Sequence, residues 1–460
     1  GFNPLQTPRF EYFGQSPDTK ILMNNLPGSP WKRSGIIARA GVKTGGNYIR
    51  HHVGNALPIK SLHQDKETLN RKNALSLIKE LSQLRGAALK MAQGLSMDTG
   101  ILPEEFSEVM NAAQYRVPAM NRSLVRTQFK SAVGSEPEEF FKRFEYEAFA
   151  AATIGQVHRA EDKQGRALAV KIQYPNVQKS IESDLSLLKT IAASFLRKFD
   201  LNEHLDEMKL RLIEETDYLR EGENLVHFSK TFHSPWIVFP KYLKEYSNSK
   251  VLSMSLLEGT HLDELLKENP DQTRRDHFGQ VLWDFFHLHI EQNVHTFHAD
   301  IHPGNFLFLP DGRVGVIDFG CVKTFPEDFL DGCIRLVQNY LSGNHSGFTD
   351  ELVKMEFLKN SDAEEATEKM IKELLTEFAE LLSDVYRKPV FDFSDSSFRE
   401  KLNAMFKKGM EIREIRGSRH FVFFNRIVFG LLSILMKLGS RIETGKGQQA
   451  VMGWKMKAAA

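Results

Sequence analysis

Apolar residues return every three or four positions over 73–97. Leu77, Leu81, Leu84, Ala88 and Met91 fall on one stripe, which predicts an amphipathic helix packed against the rest of the chain. Gly94 ends or bends it, and Asp98, Gly100 and Pro103 break the pattern. Pro103-Glu104-Glu105 opens a further helical stretch that runs to about 145. The pattern then changes. Residues 148–160 begin as an alanine-rich loop and become strand-like, E-D-K-Q-G at 161–165 reads as a turn, and R-A-L-A-V-K-I-Q at 166–173 reads as a second strand. Helical periodicity returns over 176–228, and strand patterns recur at 236–239 and 250–257. From 265 onward the chain reads mostly as helix, and its last hundred residues almost entirely so. Residues 1–70, interrupted by Pro, Gly and His, predict few elements.

The most apolar late segment is F-V-F-F-N-R-I-V-F-G-L-L-S-I-L-M at 421–436. A membrane-spanning helix needs about 20 mostly apolar residues. This run is shorter and contains Asn425 and Arg426, so it predicts a buried core helix, with a membrane-surface contact as the alternative.

Composition narrows the class. The chain has 460 residues, too many for one ordinary core, so two or three lobes are expected. Hydrophobic residues at 41% and charged residues at 26% fit a folded protein. Lys plus Arg (60) nearly balances Asp plus Glu (59), which argues against nucleic acid as the main partner. The basic stretches near 71–73 and 401–419 read as solvated faces. Cys321 and Cys333 lack metal-ligand spacing and fit a reducing compartment. The first ten residues carry no long apolar core, so no signal peptide is expected. A cytoplasmic location, with peripheral contact at a membrane, is the resulting expectation.

The chemistry concentrates late in the chain. H-A-D-I-H-P-G-N at 298–305 is punctuated by Pro and Gly and predicts a loop; V-G-V-I at 314–317 predicts a buried strand that delivers Asp318 at its end. Asp318 alone could be a turn cap. With Asp300 and Asn305, the spacing D-x-x-x-x-N then D-F-G is kinase-like. In that arrangement Asp318 and Asn305 hold Mg2+, and Asp300 orients an acceptor hydroxyl and takes its proton. His298 and His302 have no third ligand nearby to complete a zinc pattern, so His298 is expected to pack or to bond a backbone group. Lys171, in an otherwise apolar strand, needs a charged partner unless it guards a sheet edge. If 202–224 is one helix, Glu215 shares a stripe with Met208, Leu212 and Leu219, which makes it the predicted partner of Lys171; a surface Lys or Arg is the bland alternative.

Four stretches, in order, resemble the ABC1/UbiB/ADCK family of atypical protein-kinase-like proteins. They are G-A-A-L-K-M-A-Q-G-L-S at 86–96, similar to a K-x-G-Q helix; A-A-A-T-I-G-Q-V-H at 150–158 leading to A-V-K at 169–171; E-x-D at 215–217 with Asn224; and the Asp300, Asn305 and Asp318 segments. The resemblance covers about 80–325 and runs more loosely to about 440 through a helix at 426–432. It implies an α+β, bilobal kinase-like fold, with a small lobe of antiparallel strands and inserted helices and a mostly helical large lobe. The divisions expected are an N-terminal extension (1–70), a helical extension bearing the K-x-G-Q-like motif (71–145), the small lobe (146–259), a large lobe with the catalytic and metal loops (260–345) and its C-terminal helical part (346–450).

The resemblance also implies a nucleotide site. Ala150, Ala151, Ala152, Thr153 and Gly155 would lie over the phosphates of ATP or ADP, and Lys171 would meet the α- and β-phosphates. Lys90, Gln93 and Asp217 would approach the nucleotide from an extension lying across the site. Ala92 stands where the motif has Gly, and Thr153 where it usually has Ser; neither removes a phosphate or metal ligand. The expected function is a Mg2+-dependent ATPase or atypical kinase that passes the γ-phosphate to water or to an unidentified hydroxyl of a small molecule or protein. Many relatives support ubiquinone or other isoprenoid-lipid metabolism at membranes. The alternative is a non-catalytic, nucleotide-switched scaffold or lipid-access chaperone, which would bind ATP without turnover. Aminoglycoside- and choline-type kinases share the catalytic-loop pattern but lack the K-x-G-Q-like helix.

Overall fold

In the computed structural model, the described residues are 119–454 apart from 153, 183, 187–208, 210–211, 360–365, 412–417 and 419. The expected helix at 73–97, with Lys90, Ala92 and Gln93, and the side chain of Thr153 lie outside them.

The E-D-K-Q-G turn forms as its sequence demands. Asp162 accepts from the backbone N–H groups of Gln164 and Arg166 and pairs with the Arg166 guanidinium, while Gly165 takes φ +82°. This turn joins β2 (Gly155–Glu161) to β3 (Ala167–Gln173). With β1 (Arg143–Ala152) and β5 (Val251–Ser255) they form an antiparallel sheet in the order β1-β2-β3-β5. Two helices, α1 (Arg122–Val133) and α2 (Pro137–Phe140), pack beside it. Asn121 caps α1 by accepting from Leu124 N–H, and Gly134 ends it at φ +90°.

β1 corrects two expectations. Helix was expected to about 145 and an alanine loop after it, yet the chain is strand from Arg143, and Ala150, Ala151 and Ala152 pair with Val157, Gln156 and Gly155. Phe144, Tyr146 and Ala148 alternate with Glu145 and Glu147, a two-residue period that the alanines blur.

Below the small lobe, β4 (Ile237–Val238) runs parallel to β8 (Val314–Val316), which pairs with β7 (Phe306–Phe308). A second pair, β6 (Thr296–His298) and β9 (Val322–Thr324), brackets the segments that carry Asp300, Asn305 and Asp318. Helices make up much of the rest, among them α3 (Tyr218–Thr231), α4 (Leu262–Lys267), α5 (Gln272–Glu291), α6 (Glu327–Leu341), α7 (His345–Lys354), α8 (Ala366–Arg387), α9 (Ser396–Glu411), α10 (His420–Leu438) and α11 (Gly445–Gly453). The end of the chain, expected to be almost entirely helix, also holds a short strand pair, β10 (Val390–Asp392) with β11 (Arg441–Glu443). The fold is the expected α+β, kinase-like one.

The apolar run 421–436 lies in α10, where Ile427, Leu431, Leu432, Ile434, Leu435 and Leu438 are buried in the core with Phe285, Phe286 and Trp283 of α5. Among the described residues no helix is long and apolar enough to cross a membrane.

Candidate nucleotide and catalytic site

The lysine on β3 decides the geometry of the site. Lys171 is buried, and its Nζ lies 2.9 Å from both carboxylate oxygens of Glu221 and 3.1 Å from Oδ2 of Asp318. The Tyr218 ring faces it at 5.0 Å. Burial works against the ammonium, but the charges of Asp318 and Glu221 overcome it and hold the pKa of Lys171 well above its ordinary value. Burial pushes Glu221 the other way for a carboxyl, upward, with Lys171 pulling back.

The partner is therefore Glu221, not the expected Glu215. The reason is a break in the helix. Residues 212–215 are helical, Thr216 turns, and Asp217 starts α3 afresh by accepting from Leu219 N–H at 3.1 Å. The register resets across that break. Leu219, expected on the buried stripe, is 37% exposed, whereas Tyr218, Glu221, Gly222, Leu225 and Phe228 turn inward. Glu215 still lines the cleft, alongside Ile154, Lys171, Glu221, Asp300 and Asp318. Asp217 is exposed and serves as the α3 cap. Asn224 ties α3 to the D-F-G segment by donating to the Phe319 carbonyl at 3.0 Å.

Asp318 leaves the end of the β8 strand run. Its Oδ1 accepts from Gly320 N–H at 3.0 Å while Oδ2 faces Lys171. His298 braces the same segment: its Nε2 donates to the Asp318 carbonyl at 2.6 Å, and its Nδ1 accepts from Asp300 N–H at 3.2 Å. Burial lowers the pKa of this imidazole, consistent with a neutral ring that uses both nitrogens. The expected backbone hydrogen bond of His298 is thus present.

Asn305 donates from Nδ2 to the Asp300 carbonyl at 2.8 Å and to Asp300 Oδ2 at 3.1 Å. The amide oxygen is thereby left as the end available to a cation. Arg426, from α10, pairs with Oδ1 of Asp300. The donor set of Asp318 carboxylate and Asn305 amide oxygen fits Mg2+, which takes hard oxygens from one or two side chains and completes its shell with phosphate and water.

The start of β2 closes the site from above. A Cβ at Gly155 would stand 2.3 Å from the Ile172 carbonyl oxygen and 2.8 Å from the Tyr218 hydroxyl. Glycine is required there for close approach rather than for an unusual φ. Among the described residues just after Ala152, Ile154 lines the cleft; Ala150, Ala151 and Ala152 form the adjoining ladder.

Two residues of the site were missed in the sequence. Glu221 shares its stripe with Tyr218, Leu225 and Phe228, and the cap at Asp217 was the signal for it. Arg426 is a charge inside the most apolar helix, where a buried-side carboxylate partner is the usual requirement.

A family model described as the ABC1 atypical kinase-like domain matches residues 112–352. The chain is 26% identical over 411 residues to the mitochondrial atypical kinase COQ8 of Saccharomyces cerevisiae, covering 88% of this chain and 80% of that protein. It is 29% identical over 301 residues to an uncharacterized Synechocystis protein, covering 64% of this chain and 44% of that longer protein. Among solved structures, the erythromycin complex of Rv3197 from Mycobacterium tuberculosis superposes with a TM-score of 0.59 at 26% identity, covering 83% of this chain and 96% of that one. With its sequence motifs, its fold and the matched span in agreement, the chain belongs to the ABC1 atypical kinase-like family.

Proposed function

We propose that this protein binds ATP or ADP with Mg2+ and passes the γ-phosphate to water or to a hydroxyl acceptor, as a Mg2+-dependent ATPase or atypical kinase. One observation carries the reading: Lys171, Glu221, Asp300 and Asp318 line one cleft, with Asn305 bonded to Asp300. Lys171, held by Glu221, is the group for the α- and β-phosphates. Asp318 and the Asn305 amide oxygen are the ligands for Mg2+, which when bound would offset the charge of the phosphates. Asp300 orients the acceptor and takes its proton. The family resemblance extends the proposal to a role in support of ubiquinone or other isoprenoid-lipid metabolism, with the acceptor itself unidentified.

The test pairs binding with turnover. Calorimetry should show Mg2+-dependent ATP binding, and phosphate release should be lost in Asp300→Asn while ATP still binds. Binding with no turnover under any condition, including extracts searched by mass spectrometry for a phosphorylated product, would leave the nucleotide-switched scaffold as the function.

A further inference from the structure

The turn that carries Asp300, D-I-H-P-G-N at 300–305, contains no Lys or Arg. Among the described residues, a cation paired with the Asp300 carboxylate comes instead from α10, beyond the residues 112–352 matched by the family model. Two positions of α10, one turn apart on the same face, meet this turn most closely. At Gly430 a Cβ would stand 2.3 Å from the Ile301 carbonyl oxygen and 2.9 Å from Ile301 Cβ, so helix and loop touch with no room for a methyl group. Four residues earlier, Arg426 reaches Asp300 Oδ1; the two side chains are 24% and 15% exposed. Between them Ile427, with Leu431 just beyond, belongs to the same buried apolar cluster as Phe297, Ile301 and Phe306, and these residues line one small apolar cavity between α10 and the loop. With Asn305 on Oδ2, both oxygens of the carboxylate are held.

We propose that Arg426 is a positioning residue for the phosphoryl-transfer step, and that Gly430 exists to bring α10 close enough for it to act. The proposal rests on the reading of Asp300 given above. A carboxylate anchored by a charge-assisted bond on one oxygen and an amide on the other keeps a single orientation. Arg426 does this from a helix whose apolar side is buried in the core, so the C-terminal helical region is mechanically part of the catalytic loop.

The experiment uses the full chain and compares Arg426→Met, Arg426→Lys, Gly430→Ala and Asp300→Asn. Each is assayed for Mg-ATP-dependent phosphate release, for the KM of Mg-ATP and for Tm. Misplacing a reacting group by about 1 Å can cost on the order of 100-fold in rate, so Arg426→Met should lose about 30-fold or more in kcat with KM changed by less than about twofold. Arg426→Lys keeps the charge without the fork and should recover part of that loss. Gly430→Ala should lower kcat in the same sense, because the helix must retreat from Ile301. Equal losses in Arg426→Lys and Arg426→Met that only follow a fall in Tm would assign Arg426 to packing and overturn the proposal. So would wild-type or raised kcat in Arg426→Met while Asp300→Asn is inactive, and in that case the reading of Asp300 survives. Full turnover in Asp300→Asn would remove the reading of Asp300 itself. If Arg426→Met fails to fold, Arg426→Lys and Gly430→Ala decide: both must lower kcat with KM retained.

Discussion

Glu221 and Glu215 are six residues apart, and only one of them pairs with Lys171. The pair is buried on both sides, with side-chain exposures of 8% and 3%. Removing one partner of a buried pair typically costs about 3–5 kcal/mol because the other charge is left unpaired. Glu221→Gln should therefore destabilise the fold on that scale, reduced by whatever Asp318 supplies to the stranded lysine. A denaturant double-mutant cycle should give a Lys171–Glu221 coupling above about 1 kcal/mol and a Lys171–Glu215 coupling within about 0.5 kcal/mol of zero. The reverse ranking would restore Glu215 as the partner. The sequence made the need for a carboxylate visible, because a lysine in an apolar strand requires one. It did not reveal which carboxylate, because one capping residue, Asp217, resets the helical phase and moves every later side chain to a new face.

Elements position these residues through backbone contacts that a residue-type reading sees poorly. Gly155 sits where β2 passes over Ile172 and the Tyr218 ring, and Gly430 sits where α10 meets Ile301. Gly155→Ala must shift either the β2–β3 ladder or Tyr218, and overpacking of this kind usually costs about 1–3 kcal/mol. The shift falls next to Ile154 and Lys171, so the KM for Mg-ATP should rise together with the loss of stability. A normal Tm and KM in Gly155→Ala would show that the hairpin has more room than its geometry gives it. The β2–β3 hairpin, β5 and the buried late helix were legible from alternation, the polar turn and the apolar run. β1 was not, since alanine satisfies helix, loop and strand patterns alike. β10–β11 was not either, because its three-residue strands are too short to show a period and pair across about fifty residues of chain.

At the scale of the whole molecule, the core contains histidines that must stay neutral. His158 donates from Nδ1 to the Glu145 carbonyl, and burial lowers its pKa to about 4. His287 donates to the Trp283 carbonyl and faces the Tyr386 hydroxyl, and burial lowers it to about 4; His289, packed against Phe232 and Phe297, is lowered to about 3. In the unfolded chain each titrates near the ordinary value of 6.5. Between that value and the folded one, the unfolded state binds more protons. Stability is therefore full above pH 6.5 and falls as the pH drops toward 4, by on the order of 1–2 kcal/mol per histidine by pH 5. Tm should fall from pH 7.5 to pH 5, and His289→Phe should flatten that slope. A Tm independent of pH over this range would mean that these rings are solvated or already charged.

The cleft framed by Lys171, Asp300, Asn305 and Asp318 is the proposed seat of a magnesium nucleotide. The most direct measurement is titration calorimetry of ATP into the full chain, with Mg2+ and with EDTA, for the wild type and for Asp318→Asn. Mg2+ should strengthen binding to the wild type, and Asp318→Asn should remove most of that gain while leaving metal-free binding nearly unchanged. Equal weakening of both by Asp318→Asn, or ATP binding that ignores Mg2+ altogether, would contradict it.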